Sequence, residues 1–503
     1  MLNLSTLKTP GVYVEEVSLL PPSVVGVETG IPAFVGYTEK ISTNTGDDLK
    51  LKPTRISSYK AYESIFGGSQ PEGDGLQITI KDIIKEFNDD DPGKEEILQR
   101  EIRASVAEES KVSRHVLSYA IQMYYANGGG PCYIVSVGSY LATEKPTVAD
   151  LEAGVAALAG EDEPTMIVVP EASLIEEFSS AKTIYEKALA QAAKLQDRVV
   201  LLDVQQKKAK SGSQNLEGDV IDDLKAFRAN FTENASYGAA YYPYLDTTID
   251  FSYVEDGVAI THKRKAVNGS AEKDGKYNGK KLLTDLAKGA DGVRDNLMYN
   301  TLKDALTNVP MKLPPSAAIA GIYAKTDADR GVWKAPANVG VAAVIGPNIK
   351  IDDEMQRDMN VHADSGKSVN AIRQITGRGT VVWGARTLDG NSNEWRYVNV
   401  RRFFNFVEES VKKATYRFVF EPNDANTWVK VRAMCENFLT LQWRAGALQG
   451  SKPEQAFFVR VGLGQTMTPD DVLNGRLIVE IGMAVVRPAE FIVLRFMHKM
   501  PEA

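Results

Sequence analysis

The chain has 503 residues, of which 43% are hydrophobic and 25% are charged, and its net charge is −8. This size and composition predict a globular protein with two or more domains. The negative charge argues against nucleic acid or an anionic membrane as the main partner, and the longest apolar runs are too short to span a bilayer.

Both ends of the chain carry a short strand pattern next to proline. The first occupies residues 9–17 and is followed by Pro21 and Pro22, and the second occupies residues 491–496 and follows Pro488. An unpaired strand leaves its backbone N–H and C=O groups without partners. Neither pattern has an obvious hairpin partner in the sequence, so each is expected to pair with a distant segment of the same chain or of a neighbour.

We therefore predict two linking arms, residues 1–23 and residues 488–503, with hinges at the three prolines. The alternative is that both strands fold back onto the sheet of their own chain. The residues predicted to form the intersubunit strands are Val12, Tyr13, Val14, Val17, Phe491, Ile492, Val493, Leu494 and Phe496.

Residues 24–378 are predicted to form an α/β domain. Short apolar strands alternate there with amphipathic helices, which indicates a mostly parallel sheet. Two polar stretches, residues 71–114 and 262–308, are predicted to be surface insertions, and His262 is assigned to a solvated basic loop. The clearest elements are strands at 166–169, 199–204 and 237–242 and helices at 181–195 and 220–231.

Residues 379–487 are predicted to form an α+β domain in which two helices cover an antiparallel sheet. Residues 427–445 show apolar positions at helical spacing. The predicted helices are 403–419 and 427–445, and the predicted strands are 380–386, 394–400, 456–461, 476–486 and, in the arm, 491–496.

The sequence predicts no catalytic, cofactor-binding or metal-binding residue. None of the four histidines has a spacing typical of a metal site. Gly366-Lys367-Ser368 resembles the end of a phosphate-binding loop, but Val361 occupies the position of the first glycine. The two cysteines, Cys132 and Cys435, lie far apart in apolar patterns and are expected to be reduced core residues, which predicts synthesis in the cytoplasm.

Several short motifs, in this order along the chain, resemble those of contractile tail sheath proteins. The strongest block lies between residues 401 and 450 and includes Phe420-Glu421-Pro422-Asn423. The matching motifs occupy residues 9–17, 126–133, 315–317, 333–338, 408–410, 420–423, 446–450 and 488–491.

The resemblance implies a structural subunit that polymerises as stacked hexameric rings around an inner tube. The sheath would contract and drive the tube into a target envelope. It implies α/β outer domains that carry the insertions, an α+β inner domain facing the tube, and extended terminal strand arms. An α/β enzyme of unknown substrate is the alternative function.

The partners implied by the resemblance are other copies of this chain, an inner tube protein, and baseplate and terminator or cap proteins. Co-assembly with sister sheath proteins is left open, as is the choice between a virion tail and a phage-like injection particle. Basic residues on the helices of the inner domain are candidates for tube contact, although a plain solvated face is the better explanation for any single one of them: Lys412, Lys413, Lys430 and Arg432.

Overall fold

The structure is a computed structural model that describes residues 24–43, 45–88, 95–107, 112–206, 216–229, 231, 233–269, 271–289, 294–362 and 364–493. Counting only these residues, the chain divides into two compact units. Among the described residues, we call those of 28–405 and 488–493 the α/β unit, and those of 24–27 and 406–487 the C-terminal unit.

The strands are β1 (Pro32–Thr38), β2 (Thr54–Ile56), β3 (Leu76–Ile84), β4 (Ile97–Val106), β5 (Cys132–Ser139), β6 (Met166–Val168), β7 (Val199–Asp203), β8 (Gly238–Tyr242), β9 (Leu245–Thr247), β10 (Ala259–Ala266), β11 (Glu272–Asp274), β12 (Met311–Leu313), β13 (Val339–Gly340), β14 (Val344–Pro347), β15 (Asn370–Ile375), β16 (Gly379–Val382), β17 (Phe457–Arg460) and β18 (Glu480–Met483).

The α-helices are α1 (Tyr59–Phe66), α2 (Leu117–Ala126), α3 (Val148–Ala157), α4 (Phe178–Leu195), α5 (Leu216–Arg228), α6 (Asn296–Thr307), α7 (Ser316–Arg330), α8 (Asp353–Asn360), α9 (Val398–Thr415), α10 (Ala425–Arg444), α11 (Pro453–Ala456) and α12 (Pro469–Leu473).

A nine-stranded sheet with the order β13-β16-β15-β8-β7-β6-β1-β5-β2 organises the α/β unit. The strands from β15 to β5 in this order pair in parallel, and antiparallel strands form both edges. Every residue of β1 and β7 is buried, as expected for parallel strands with both faces covered. Two hydrophobic clusters contain the alternating side chains of these strands. The predicted α/β character and its βαβ elements are confirmed.

The two predicted insertions share one sheet. Strands β3 and β4 pair antiparallel, β10 pairs parallel with β3, and β11 completes the order β11-β10-β3-β4. The residues of β3 alternate between buried and more exposed positions, so one face packs inward although the segment is highly charged. The prediction that His262 lies in a solvated loop is wrong, because it is buried on β10.

The C-terminal unit contains α10 and the antiparallel pair β17–β18. Helix α10 buries Val431, Met434 and Cys435 among others, and the Asp424 side chain caps it by accepting from Thr427 N. The predicted helix 427–445 is therefore confirmed. At Gly482 a Cβ atom would lie 2.2 Å from the Phe458 ring, so glycine allows this cross-strand pair to approach.

Two predicted strands differ from the structure. Residues 394–397 form a turn and a single bridge before α9, because Ser392 Oγ accepts hydrogen bonds from the backbone N–H groups of Glu394 and Trp395. The predicted strand 394–400 is thus wrong. Strand β16 exists, but it pairs with β15 and β13 in the large sheet of the α/β unit and not in the C-terminal unit.

Candidate intersubunit and tube-contact surfaces

The predicted N-terminal strand and hinges lie outside the described residues. This applies to Val12, Tyr13, Val14, Val17, Pro21 and Pro22. The described chain begins close to them, where Val27 N donates to Ser410 Oγ at 3.1 Å within the C-terminal unit. Their role in joining subunits stays a prediction.

The described part of the C-terminal arm comprises residues 488–493, and Leu494 and Phe496 lie beyond it. The residues Phe491, Ile492 and Val493 expose 73%, 78% and 78% of their surface. They form no strand with the rest of the described chain. Three consecutive apolar residues at this exposure are unfavourable in water unless a partner covers them.

Glu490, the residue before this exposed triplet, is hydrogen-bonded to Arg386 and Tyr397. Arg386 donates from Nε to Glu490 Oε1 at 2.9 Å and from Nη2 to Oε2 at 2.5 Å, and Tyr397 Oη donates to Oε2 at 3.2 Å. The side chains of Arg386 and Glu490 are only 4% and 17% exposed. Our sequence reasoning did not find this contact, because 104 residues separate the partners and no spacing pattern relates them.

An open sheet edge is available in the C-terminal unit. Within the described residues, β17 and β18 pair only with each other, apart from a bridge between Leu448 and Val485 that extends the pair. A two-stranded sheet is marginal in water and gains from a third strand. The Phe458 side chain of β17 is 47% exposed, so an added strand would also find apolar surface.

The four candidate tube-contact residues differ in the contacts that they already make within the chain. Lys412 and Lys413 lie 3.0 Å and 3.4 Å from the carboxylate of Glu409, which is almost buried. Arg432 donates to Val461 O at 3.2 Å and to Gln465 Oε1 at 2.8 Å. Lys430 is exposed and forms no ion pair with the described residues.

A further exposed apolar group follows α9. Phe420 is fully exposed, with a φ of 70°, and Tyr416 and Val419 expose 62% and 57% of their surface. A left-handed backbone is unfavourable for a bulky residue. In the sequence Phe420 is distinguished only as part of the motif at 420–423, and no sequence pattern indicates its exposure.

Asp82, Arg100 and His262 of the α/β unit form a largely buried contact with each other. Asp82 accepts two hydrogen bonds of 2.7 Å from Arg100, and His262 Nε2 lies 2.9 Å from Asp82 Oδ2. His262 Nδ1 accepts from Tyr277 N at 3.2 Å. Both ring nitrogens of His262 are therefore occupied, and neither remains to bind a metal or to act as a base.

Three buried carboxyl groups have a pKa above the usual range. Burial raises the pKa of Glu171 to about 8 and those of Glu72 and Asp203 to about 7, against hydrogen bonds that lower each of them. Asp203 accepts from the backbone N and the Oγ of Ser316 at the start of α7, so its role is to hold that helix.

The residues that the structure describes offer neither a metal site nor a membrane-spanning helix. Among them, no group of three or more histidine, cysteine, aspartate and glutamate side chains could hold a metal ion. None of the described helices has the length and apolar content needed to cross a bilayer. Cys132 and Cys435 are buried free thiols.

Comparison with known proteins identifies relatives of this chain. Residues 391–498 match the family model of the phage tail sheath C-terminal domain. The tail sheath protein of Burkholderia phage BcepMu is 31% identical over 138 residues, which cover 26% of this chain and 28% of that relative. The resemblance to contractile tail sheath proteins is confirmed.

Two solved sheath structures are similar over almost the whole chain. One is the contracted PVC sheath complex of an extracellular contractile injection system, at 27% identity and a TM-score of 0.59, covering 98% of both chains. The other is the contracted helical sheath of the anti-feeding prophage, at 28% identity and the same TM-score, covering 98% of this chain and all of that one. The sheath likeness thus extends well beyond the C-terminal family match.

Proposed function

We propose that this chain is the structural subunit of a contractile sheath. The observation that carries the proposal is the similarity to two contracted sheaths over 98% of the chain. Subunits would form stacked six-membered rings around an inner tube, and shortening of the sheath would drive the tube into a target envelope. Baseplate and cap proteins would close the two ends of the polymer.

The terminal arms would link the subunits by adding strands to neighbouring sheets. The exposed triplet Phe491–Val493 supplies the start of an unpaired strand, and the open edges of the β17–β18 pair supply the sheet that would accept it. Ile492, Leu494 and Phe496 would share one face of the predicted last strand. Burying three such side chains contributes roughly 5–9 kcal/mol before costs, and ordering six residues of backbone costs about 1–2 kcal/mol for each residue. One arm is therefore close to neutral, and the linked ring gains from several arms acting together.

The work of contraction would come from subunit contacts that differ between two states of the polymer. Packed domain cores resist continuous deformation, so each unit would move as a body on the arm hinges. We expect lowered pH or mild denaturant to shorten extended sheaths without added nucleotide.

Expression of the chain with its cognate tube protein, followed by negative-stain electron microscopy, tests this function. We expect rods with six-fold end views, which shorten and widen when triggered in nucleotide-free buffer. A chain that stays monomeric at all concentrations with the tube present would contradict the proposal, as would contraction that stops when nucleotide is removed.

A further inference from the structure

We infer that Arg386 and Tyr397 are positioning residues for the C-terminal arm, which they fix to the α/β unit through Glu490. The inference rests on the proposed sheath function, in which residues beyond Glu490 pair with a second copy of this chain. The free linking segment then starts at Phe491, whereas the sequence predicts a hinge at Pro488.

The Arg386 guanidinium occupies a site that a carboxylate completes. Its Nη1 donates to the carbonyl oxygens of Asn360 and Gly390 at 3.3 and 3.1 Å, and its Nε and Nη2 point at the two oxygens of Glu490. This is the two-pronged geometry in which arginine binds a carboxylate most specifically. Without Glu490, a charge that is 96% buried would lose its only ionic partner within the described chain, which is strongly unfavourable.

The site is built on rigid parts of the α/β unit. Asn370, the first residue of β15, accepts from Arg386 N and donates to Arg386 O, both at 2.8 Å. The backbone of Arg386 also forms an antiparallel bridge with Tyr397, whose hydroxyl reaches Glu490. Arg386 and Tyr397, which hold the carboxylate, are therefore fixed to each other by this bridge and to the large sheet through Asn370.

The position of this contact in the chain gives it a role in linking. It lies immediately before Phe491, Ile492 and Val493, which are exposed and apolar. A segment held at its root loses less freedom when it pairs with another subunit than one that is free from Pro488 onward. The contact would also transmit a movement of the α/β unit directly to the segment that a neighbour holds.

The first measurement is the mobility of a nitroxide label on a Val493→Cys variant, made on subunits purified without the tube. Both native cysteines are buried, so the label should react at position 493. We expect restricted motion in the parent protein and several-fold faster motion after Glu490→Gln or Arg386→Lys. Asp353→Asn is the matched control, since it removes a carboxylate that pairs with Arg373 in the same unit but far along the chain from the arm.

The second measurement is the yield and length of rods formed by unlabelled protein with the tube. Glu490→Gln and Arg386→Lys should give several-fold fewer or shorter rods, and Asp353→Asn should match the parent. If these variants assemble normally, or if they melt earlier while the label mobility is unchanged, the contact is only structural and the inference fails. Failure of the unmodified chain to form rods would instead refute the sheath function, and the label measurement would still decide whether Glu490 is held.

Discussion

Glu171 Oε1 lies 4.0 Å from His115 Nδ1, and both side chains are completely buried. Neither atom has a hydrogen-bond partner among the described residues. The other Glu171 oxygen accepts from Tyr37 N at 3.0 Å, and His115 Nε2 lies 2.8 Å from Thr143 O. The imidazole thus donates from Nε2, which leaves a lone pair on Nδ1. A protonated Glu171 carboxyl group is therefore the simplest state that places a donor opposite this acceptor.

This arrangement predicts that Glu171→Gln stabilises the protein at high pH. Burial raises the pKa of Glu171 from its usual 4.5 to about 8, so the folded protein binds the proton more tightly than the unfolded chain. The stability from this group is complete below pH 4.5 and is lost as pH rises towards 8. The loss is on the order of 5 kcal/mol, since each tenfold difference in proton affinity corresponds to about 1.4 kcal/mol.

Urea unfolding of the parent and of Glu171→Gln between pH 4 and 9 measures the effect. Glutamine mimics the protonated acid, so the two proteins should be similar near pH 4 and the variant more stable near pH 8. Asp203 and Glu72 titrate in the same range, but these groups are common to both proteins and cancel in the difference. His115 faces Glu171, so its contribution belongs to the pair that the substitution changes. A difference that does not change with pH would show that Glu171 is ionised in the folded protein.

The contact between Asp82, Arg100 and His262 predicts the opposite dependence on pH. Burial raises the pKa of Asp82, but the hydrogen bonds from Arg100 and His262 outweigh it and lower that pKa to about 2. The stability from Asp82 is therefore present above pH 3.8 and is lost as pH falls towards 2. Arg100→Met should lower the free energy of unfolding by about 3 kcal/mol at pH 7, because it leaves a buried carboxylate with only one partner.

Thermal and urea unfolding of Arg100→Met tests this value. Lys263→Met is the control, because Lys263 pairs with Asp274 in the same sheet but both side chains are substantially exposed. We expect no measurable change for the control. Equal effects of the two substitutions would mean that the buried contact does not hold the sheet of the two insertions together.

The sequence was sufficient for elements defined by local pattern. Strands β6 and β7 and helix α10 show their periodicity in consecutive residues, and the structure confirms them. The pairing of β3 with β10 could not be predicted, because the two strands lie about 180 residues apart and no local pattern relates them. The contact of Arg386 with Glu490 could not be predicted either, because 104 residues separate the two partners. The false strand at 394–400 arose because a serine side chain satisfied backbone groups that a strand would have paired.

The backbone at Phe420 predicts a stabilising substitution. Its φ of 70° is unfavourable for phenylalanine and readily adopted by glycine, and the ring is fully exposed. Phe420→Gly should therefore raise the free energy of unfolding of the isolated subunit by about 1 kcal/mol. Val419→Gly is the control, because Val419 has a φ of −65° and gains nothing from glycine. Chemical denaturation measures the free energy of unfolding of both variants. A lower value for Phe420→Gly than for the parent would contradict the prediction.

Truncation of the N-terminus tests the first linking arm. Removal of residues 1–20 deletes the predicted strand that contains Val12, Tyr13 and Val14, so we expect a folded subunit that forms no long sheaths. Removal of residues 1–8 ends before this strand and should leave assembly intact. Electron microscopy measures sheath length, and circular dichroism confirms folding. Normal assembly after removal of residues 1–20 would contradict the role of this arm.

The basic residues of α9 and α10 predict a contact with the tube that depends on salt. If charge dominates this contact, raising the ionic strength from about 0.1 M to 1 M shortens the Debye length from about 10 Å to 3 Å and should release the tube. Lys430 is exposed without an ion pair in the described chain, whereas Lys413 shares Glu409 with Lys412. Lys430→Glu should therefore weaken retention of the tube more than Lys413→Glu does. Co-sedimentation of tube and sheath over a salt series measures both, and retention by Lys430→Glu equal to that of the parent at every salt concentration would remove Lys430 from the contact.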